Sequence, residues 1–449
     1  MTSHERPADH APAAGAARAE PTDPLDAIRT RGYLALLLLA GVIGVPLSAA
    51  AWGFLQAVDH LQTVFYTDLP RGLGFHGAPM WWPLPLLAVS GALTAAAIVF
   101  LPGTGGHEPS EGLESGAVPT AAMLPGILIA ALASISLGAV VGPEAPLIAL
   151  GSGLAALVVR RMKRADERAV RLVGAAGSFA AISTLFGSPL PGAFLLMETS
   201  GLGGIALDVA LLPGLLAAGI GALIFIGLDS WTGLSTTSLT IPDLPAVKQP
   251  DVGQFGWALA IGVAGALIGV LISRAARAAQ PHVAPRRLVL MPIIGLLVAG
   301  LAIAYAEGTG HSSSDVLFSG QSGLGPLVQN RAQYTVAALL LLVVYKALGY
   351  ALSLSAFRGG PVFPSLYLGA AGGLLVSHLP DLPFVAAVAM GIGAIGVAML
   401  RLPLTAVLLA TLLLGKDGLT VMPLVIVSVV TAYVISVRLS PAPPKPASD

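Results

Sequence analysis

Few residues in this sequence could do chemistry at membrane depth, and one stands alone. Glu144 lies in Gly142-Pro143-Glu144-Ala145-Pro146, inside apolar sequence with no further charge until Arg160. An ionisable side chain within lipid is costly, so its default reading is functional. Two prolines bracket a place where a helix starts, since proline in a first turn loses no hydrogen bond. The spacing predicts a helix from about Pro146 to Arg160, with Glu144 at its N-terminal end. Such an end presents free N–H groups and partial positive charge, which suit an anion. The carboxylate itself can fill that anion site. The plainer alternative is a carboxylate that only caps the helix.

Other polar words are weaker. Gly103-Thr104-Gly105-Gly106-His107-Glu108 offers backbone N–H groups and one hydroxyl, which is anion-cradling chemistry or an ordinary interhelical turn. His107 and Glu108 lack the HExxH or paired-histidine spacing of a metal site, so no metal or cofactor is expected. Gly320-Gln321-Ser322-Gly323 matches the GxSG word of intramembrane serine proteases. A base for Ser322 would have to be His378, which Leu379-Pro380-Asp381 puts at a helix end. Lys346 is the one cation inside 334–356, read as a neutral or paired lysine or as an electrostatic element of an anion path. Glu198 closes the apolar run 189–197 and is a candidate proton relay, although Thr199 follows it.

The elements that must position these residues come in two copies. The frame around Glu144 returns as Gly360-Pro361-Val362-Phe363-Pro364-Ser365-Leu366-Tyr367-Leu368-Gly369, with Gly, Pro, Pro, Leu and Gly coinciding at 142/360, 143/361, 146/364, 150/368 and 151/369. A second pair follows in the same order, Pro189-Leu190-Pro191-Gly192 and Pro403-Leu404-Thr405-Ala406. Two ordered matches predict an internal repeat, with halves about 33–228 and 254–437. Repeated membrane halves with Gly/Pro-interrupted helices put the substrate site at their interface near the midplane.

Composition sets the class. The 449 residues are 55% hydrophobic and 10% charged, with a mean hydropathy of +0.84, against about 25% charged in soluble domains. This is an all-α, multi-pass membrane protein. A net charge of zero leaves no nucleic-acid footprint. Without cysteine there is no disulfide or thiolate metal site. Residues 1–28 and 439–449 read as disordered tails around one transmembrane domain, 29–438. Several apolar segments, 189–198 and 403–415 among them, fall short of the roughly 20 residues that span a bilayer. They must tilt, re-enter or stop partway, which is tolerated beside a path through protein. Basic clusters at 160–171 and at Arg274, Arg277, Arg286 and Arg287 should be cytoplasmic. The loops 59–79 and 229–253, with five aspartates, should face outside, and both termini inside.

Together these words resemble the CLC chloride channels and transporters. Gly103-Thr104-Gly105-Gly106-His107 is similar to the family's GSGIP stretch, Gly142-Pro143-Glu144-Ala145-Pro146 to G(K/R)EGP, and Gly360-Pro361-Val362-Phe363-Pro364 to GxFxP. Pro189 to Glu198 resembles its PLAG…E helix, and Arg401-Leu402-Pro403-Leu404-Thr405 its RxPLT helix start. The resemblance covers about 33–437. It implies an inverted-repeat fold of short, tilted and broken helices. It also implies a homodimer with one anion path per subunit, and the richness in Ala, Gly and Pro points to the inner membrane of a bacterium. Glu144 would be the gate, filling an anion site when charged and leaving it when protonated. Thr104, Gly105, Gly142, Pro143, Ala145, Gly360, Pro361, Val362, Phe363 and Pro364 would surround the anion.

Departures are informative. Pro143 replaces a basic residue, Ala145 a glycine, and Val362 the usual phenylalanine. Thr199 stands where proton-coupled members often have an internal glutamate. The family's last helix, with its central-site tyrosine, has no counterpart here. The expectation is passive chloride flux through a voltage-gated channel of this type, and no enzyme activity. The alternatives are chloride/proton antiport, a fluoride-selective relative and, distantly, an intramembrane enzyme.

Overall fold

Glycine and proline, 54 and 35 of the residues, cut the apolar sequence into helices of unequal length. The structure, a computed structural model, is described for residues 28–113, 118–162, 167–199, 205–233, 239–247 and 249–440. Both tails expected to be disordered lie almost wholly outside them, as do Lys163 and Arg164 of the first basic cluster. Helices α1 (Arg31–Thr63), α2 (Pro83–Phe100), α3 (Leu124–Ser136), α4 (Glu144–Arg160), α5 (Glu167–Phe186), α6 (Pro189–Thr199) and α7 (Ile205–Thr232) form the first half. The second half has α8 (Val252–Val283), α9 (Arg287–Thr309), α10 (Leu324–Gln329) and α11 (Val336–Ala356). It continues through α12 (Val362–Val376), α13 (Phe384–Leu400), α14 (Pro403–Leu413) and α15 (Gly418–Leu439).

The halves are built alike. α4 crosses α5 where Gly151 meets the Gly177 backbone, and α12 crosses α13 where Gly369 meets Gly391. A Cβ at any of the four would overlap the crossing helix, so these crossings need glycine. α1 packs along α7 as α8 packs along α15. Across the halves, Gly91 of α2 lies on the Met291 carbonyl of α9, and Gly295 of α9 on the Leu87 carbonyl of α2. The repeat read from glycine and proline is thus an inverted pair of helical halves.

Among the described residues, six helical stretches are long and apolar enough to cross a membrane, Pro83–Phe100, Val336–Ala356 and Gly415–Leu439 among them. α3, α12 and α14, of 13, 15 and 11 residues, reach about 20, 22 and 16 Å at 1.5 Å per residue. The hydrocarbon core is about 30 Å thick, so none of the three is long enough to cross it, as expected of α14. One expectation is corrected. The segment 59–79 is helical as far as Gly72, through a π-helical turn at Val64–Asp68 and a last turn at Leu69–Gly72. Arg274 and Arg277 of the second basic cluster lie on the last turns of α8.

Candidate functional site

The two Gly-Pro words meet. Gly142 and Gly360 form an antiparallel bridge, each N–H donating to the other's carbonyl at 2.7 and 2.6 Å. Among the described residues this is the one β-bridge. Pro143 and Pro361 follow as N-caps with φ near −84° and −92°. α4 therefore begins at Glu144, two residues before the expected Pro146, because Pro143 already turns the chain. α12 begins at Val362.

The Glu144 side chain is fully buried between these helix starts. Its Oε1 accepts the Phe363 N–H at 2.9 Å. Oε2 has no hydrogen-bond partner among the described residues. The carboxylate lies where a Cβ on Gly142 or Gly360 would be, so a side chain at either position would displace it. The capping reading is answered in an unexpected way: Glu144 caps the helix of the other half, not its own. The carboxylate is thus held by one N–H where two positive helix ends converge.

Serines brace the two turns reciprocally. Ser353 Oγ accepts the Val140 N–H at 3.0 Å, and Ser134 Oγ the Arg358 N–H at 3.1 Å. Each serine ends a helix of one half and holds the turn of the other. Tyr350 donates its hydroxyl to the Pro361 carbonyl at 2.7 Å. Phe363 packs on Phe186, with ring centroids 5.9 Å apart. None of the braces was expected; the available signal was a serine near the end of the helix before each Gly-Pro word.

The structure thus brings Glu144, Gly142, Pro143, Gly360, Pro361, Val362 and Phe363 together, with Ala145 and Pro364 in the first turns behind them. Thr104 and Gly105 contact Arg358 instead of the Glu144 carboxylate. Thr104 is exposed at φ 51°, with its hydroxyl donating to the Gly103 carbonyl at 2.8 Å. No hydrogen bond joins either residue to Glu144 among the described residues. Instead the Thr104 carbonyl accepts Arg358 Nε at 3.3 Å.

Glu198 is committed to the other half. It accepts the Leu404 and Thr405 N–H groups at 2.9 and 2.7 Å and the Thr405 hydroxyl at 2.6 Å, capping α14. Lys346 takes its paired reading: Nζ donates to the Leu317 and Phe318 carbonyls at 2.8 and 3.0 Å, over the Tyr367 ring. Ser322 shares a cavity of about 370 Å³ with Gln321, Leu185, Leu413 and Phe363, beside the start of α12. His378 follows the far end of that helix, its Nδ1 against the Leu374 carbonyl at 3.0 Å. At 1.5 Å per residue those ends are about 22 Å apart, so the protease pair is not assembled.

Sequence comparison adds the lineage. The family model described as voltage gated chloride channel matches residues 108–437. The chain belongs to the CLC family. It is 28% identical over 378 residues to "Putative ion-transport protein YfeO" of Escherichia fergusonii, covering 83% of this chain and 85% of that one. The same protein of Escherichia coli O7:K1 matches equally. A slow cyanobacterial Cl⁻/H⁺ antiporter has the same fold, with a TM-score of 0.73 at 19% identity over 90% of this chain and 94% of that one. So does a CLC-type fluoride/proton antiporter, with a TM-score of 0.63 at 20% identity over 90% and 95%. CLC membership makes this a multi-pass membrane protein of an anion-transport family.

Proposed function

We propose that this CLC protein carries a small anion, chloride in the first instance, passively down its gradient, with Glu144 as the gate. One observation carries the reading: a fully buried carboxylate occupies the point where the starts of α4 and α12 converge. Ionised, it matches the helix ends and fills the place of a free anion. Protonated, it loses its charge match there, and a chloride ion competes better for the Phe363 and neighbouring N–H groups. The test is reconstitution in liposomes under a chloride gradient, recording chloride efflux and external pH together. Chloride efflux without proton countermovement is expected. A chloride gradient that drives sustained uphill proton movement would make the protein an exchanger.

Passive flux is favoured because the relay position is spent. Both Glu198 oxygens already hold donors at the start of α14, and Thr199 has no usefully titratable group. Glu198→Gln is expected to lower thermal stability by about 1–2 kcal/mol, the scale of a lost cap. Flux and its pH response should stay near wild type. If Glu198→Gln instead abolished proton movement, Glu198 would be the relay.

The active unit in this reading is a homodimer with a path inside each subunit. Its contact face would be α6–α7 and α14–α15, where Leu190, Leu223, Ile226, Leu404 and Val430 are exposed. Mass measurement of the protein–detergent complex should give two chains. A monomer with full transport activity would refute the pairing. The basic ends of α8 and α9 would face the cytoplasm by the positive-inside rule.

A further inference from the structure

The 103–108 loop makes no hydrogen bond to Glu144 among the described residues, yet three side chains of the second half converge on it. Glu108 Oε1 accepts Arg287 Nη2 at 2.7 Å and Arg358 Nη2 at 3.2 Å. The Gln280 side-chain amide donates to Oε2. Arg358 Nε is on the Thr104 carbonyl and Nη1 on the Phe357 carbonyl. The Arg358 side chain is only 5% exposed, while those of Glu108 and Arg287 are 20% exposed. Sequence reading attached no role to Arg358 and none beyond topology to Arg287.

We propose that Arg358 and Arg287 form a second site for a small monovalent anion, and that Glu108 is its built-in occupant. An anion arriving from the face that carries Arg274, Arg277 and Arg286 exchanges with the Glu108 carboxylate. The proposal rests on the transport reading and deepens it.

Two guanidinium groups on one carboxylate oxygen make a fork of charge-assisted donors. A guanidinium does not discharge. Whenever Glu108 leaves or loses its charge, a nearly buried cation is left unpaired, which is strongly unfavourable. A small anion is the direct remedy. Glu111, the other acidic side chain of the loop, is 63% exposed and sits 3.8 Å from His107, so water screens it. Position completes the argument. Arg358 lies two residues before Gly360, at most about 7 Å of chain from the bridge beside Glu144. The cluster therefore adjoins the Glu144 site, and each site holds one carboxylate in the place of a mobile ion.

The test uses the full-length chain. Chloride is titrated calorimetrically into wild type and Glu108→Gln in chloride-free detergent buffer. Crystals of both are soaked in bromide for anomalous diffraction. Glu108→Gln is expected to bind one more chloride per chain and to show a bromide peak against the Arg358 and Arg287 guanidiniums. If Glu108 fills the site about nine-tenths of the time, its removal strengthens apparent binding there about tenfold. Should Glu108→Gln not fold, Glu108→Asp is the second variant: it keeps the charge but withdraws the carboxylate by one methylene, and the same extra ion is expected. Unchanged stoichiometry with no bromide at Arg358, in a variant that still transports, overturns the proposal. Failure of the transport reading shows separately, as absence of Glu144-dependent flux.

Discussion

Glu144→Gln is expected to hold chloride flux at its acid-side maximum at every pH. The amide keeps the shape of the side chain and can still accept the Phe363 N–H that Oε1 now accepts at 2.9 Å. It carries no charge to match the two helix ends, so a free anion takes that role. In wild type, protonating Glu144 has the same effect, so flux rises as pH falls. If flux follows the protonated fraction of one carboxylate, it changes up to about tenfold per pH unit on the alkaline limb. In the variant that limb should be flat. Chloride efflux from liposomes across a pH series measures it, with expression and oligomeric state as controls. A variant that kept the wild-type pH response would leave Glu144 with only a capping role.

Gly360→Ala should reproduce much of this from the other half of the molecule. A methyl group at 360 would occupy the volume now filled by Glu144 Oε2 and crowd its Cδ and Cβ. The carboxylate must move out of the converging helix starts, or the bridge to Gly142 must open. Overpacking of this kind costs about 1–3 kcal/mol, so a lower melting temperature is expected. The distinguishing result is functional. Flux should lose its pH response, and Gly360→Ala combined with Glu144→Gln should be no different in pH response from Glu144→Gln alone. If Gly360→Ala only destabilised the protein and kept the pH response, the contact between Gly360 and the carboxylate would have no part in gating.

The fold and the meeting of the two helix starts at Glu144 were legible because they rest on residues whose backbone effects are local. Gly142-Pro143 and Gly360-Pro361 announce helix starts wherever they occur, and their repetition announces two halves. Glu144 stood out because nothing charged lies near it in sequence. What was not legible depends on partners far along the chain. Ser134 and Ser353 look like ordinary hydroxyls in apolar helices until the turns they hold arrive from the other half. Glu108 looked like a loop residue, since Arg287 and Arg358 come to it from the second half. Thr104 was placed beside the anion by resemblance, and the structure instead turns its hydroxyl back on Gly103. Glu198 was read as a possible proton carrier from its place on α6. Its actual neighbours, Leu404 and Thr405, belong to the second copy of the same motif.

The antiparallel bridge between Gly142 and Gly360 has a consequence for direction. A bridge of that kind is the same viewed from either strand, and the serine braces on each side of it correspond. The framework around the gate is therefore almost indifferent to which way it is turned in the bilayer. The repeat sets Val362 opposite Glu144. The repeat likewise sets Val140 opposite Arg358, the two residues that the serines brace. The charge asymmetry of this nearly two-fold object thus resides, next to the bridge, in two side chains, a carboxylate in one half and a guanidinium in the other.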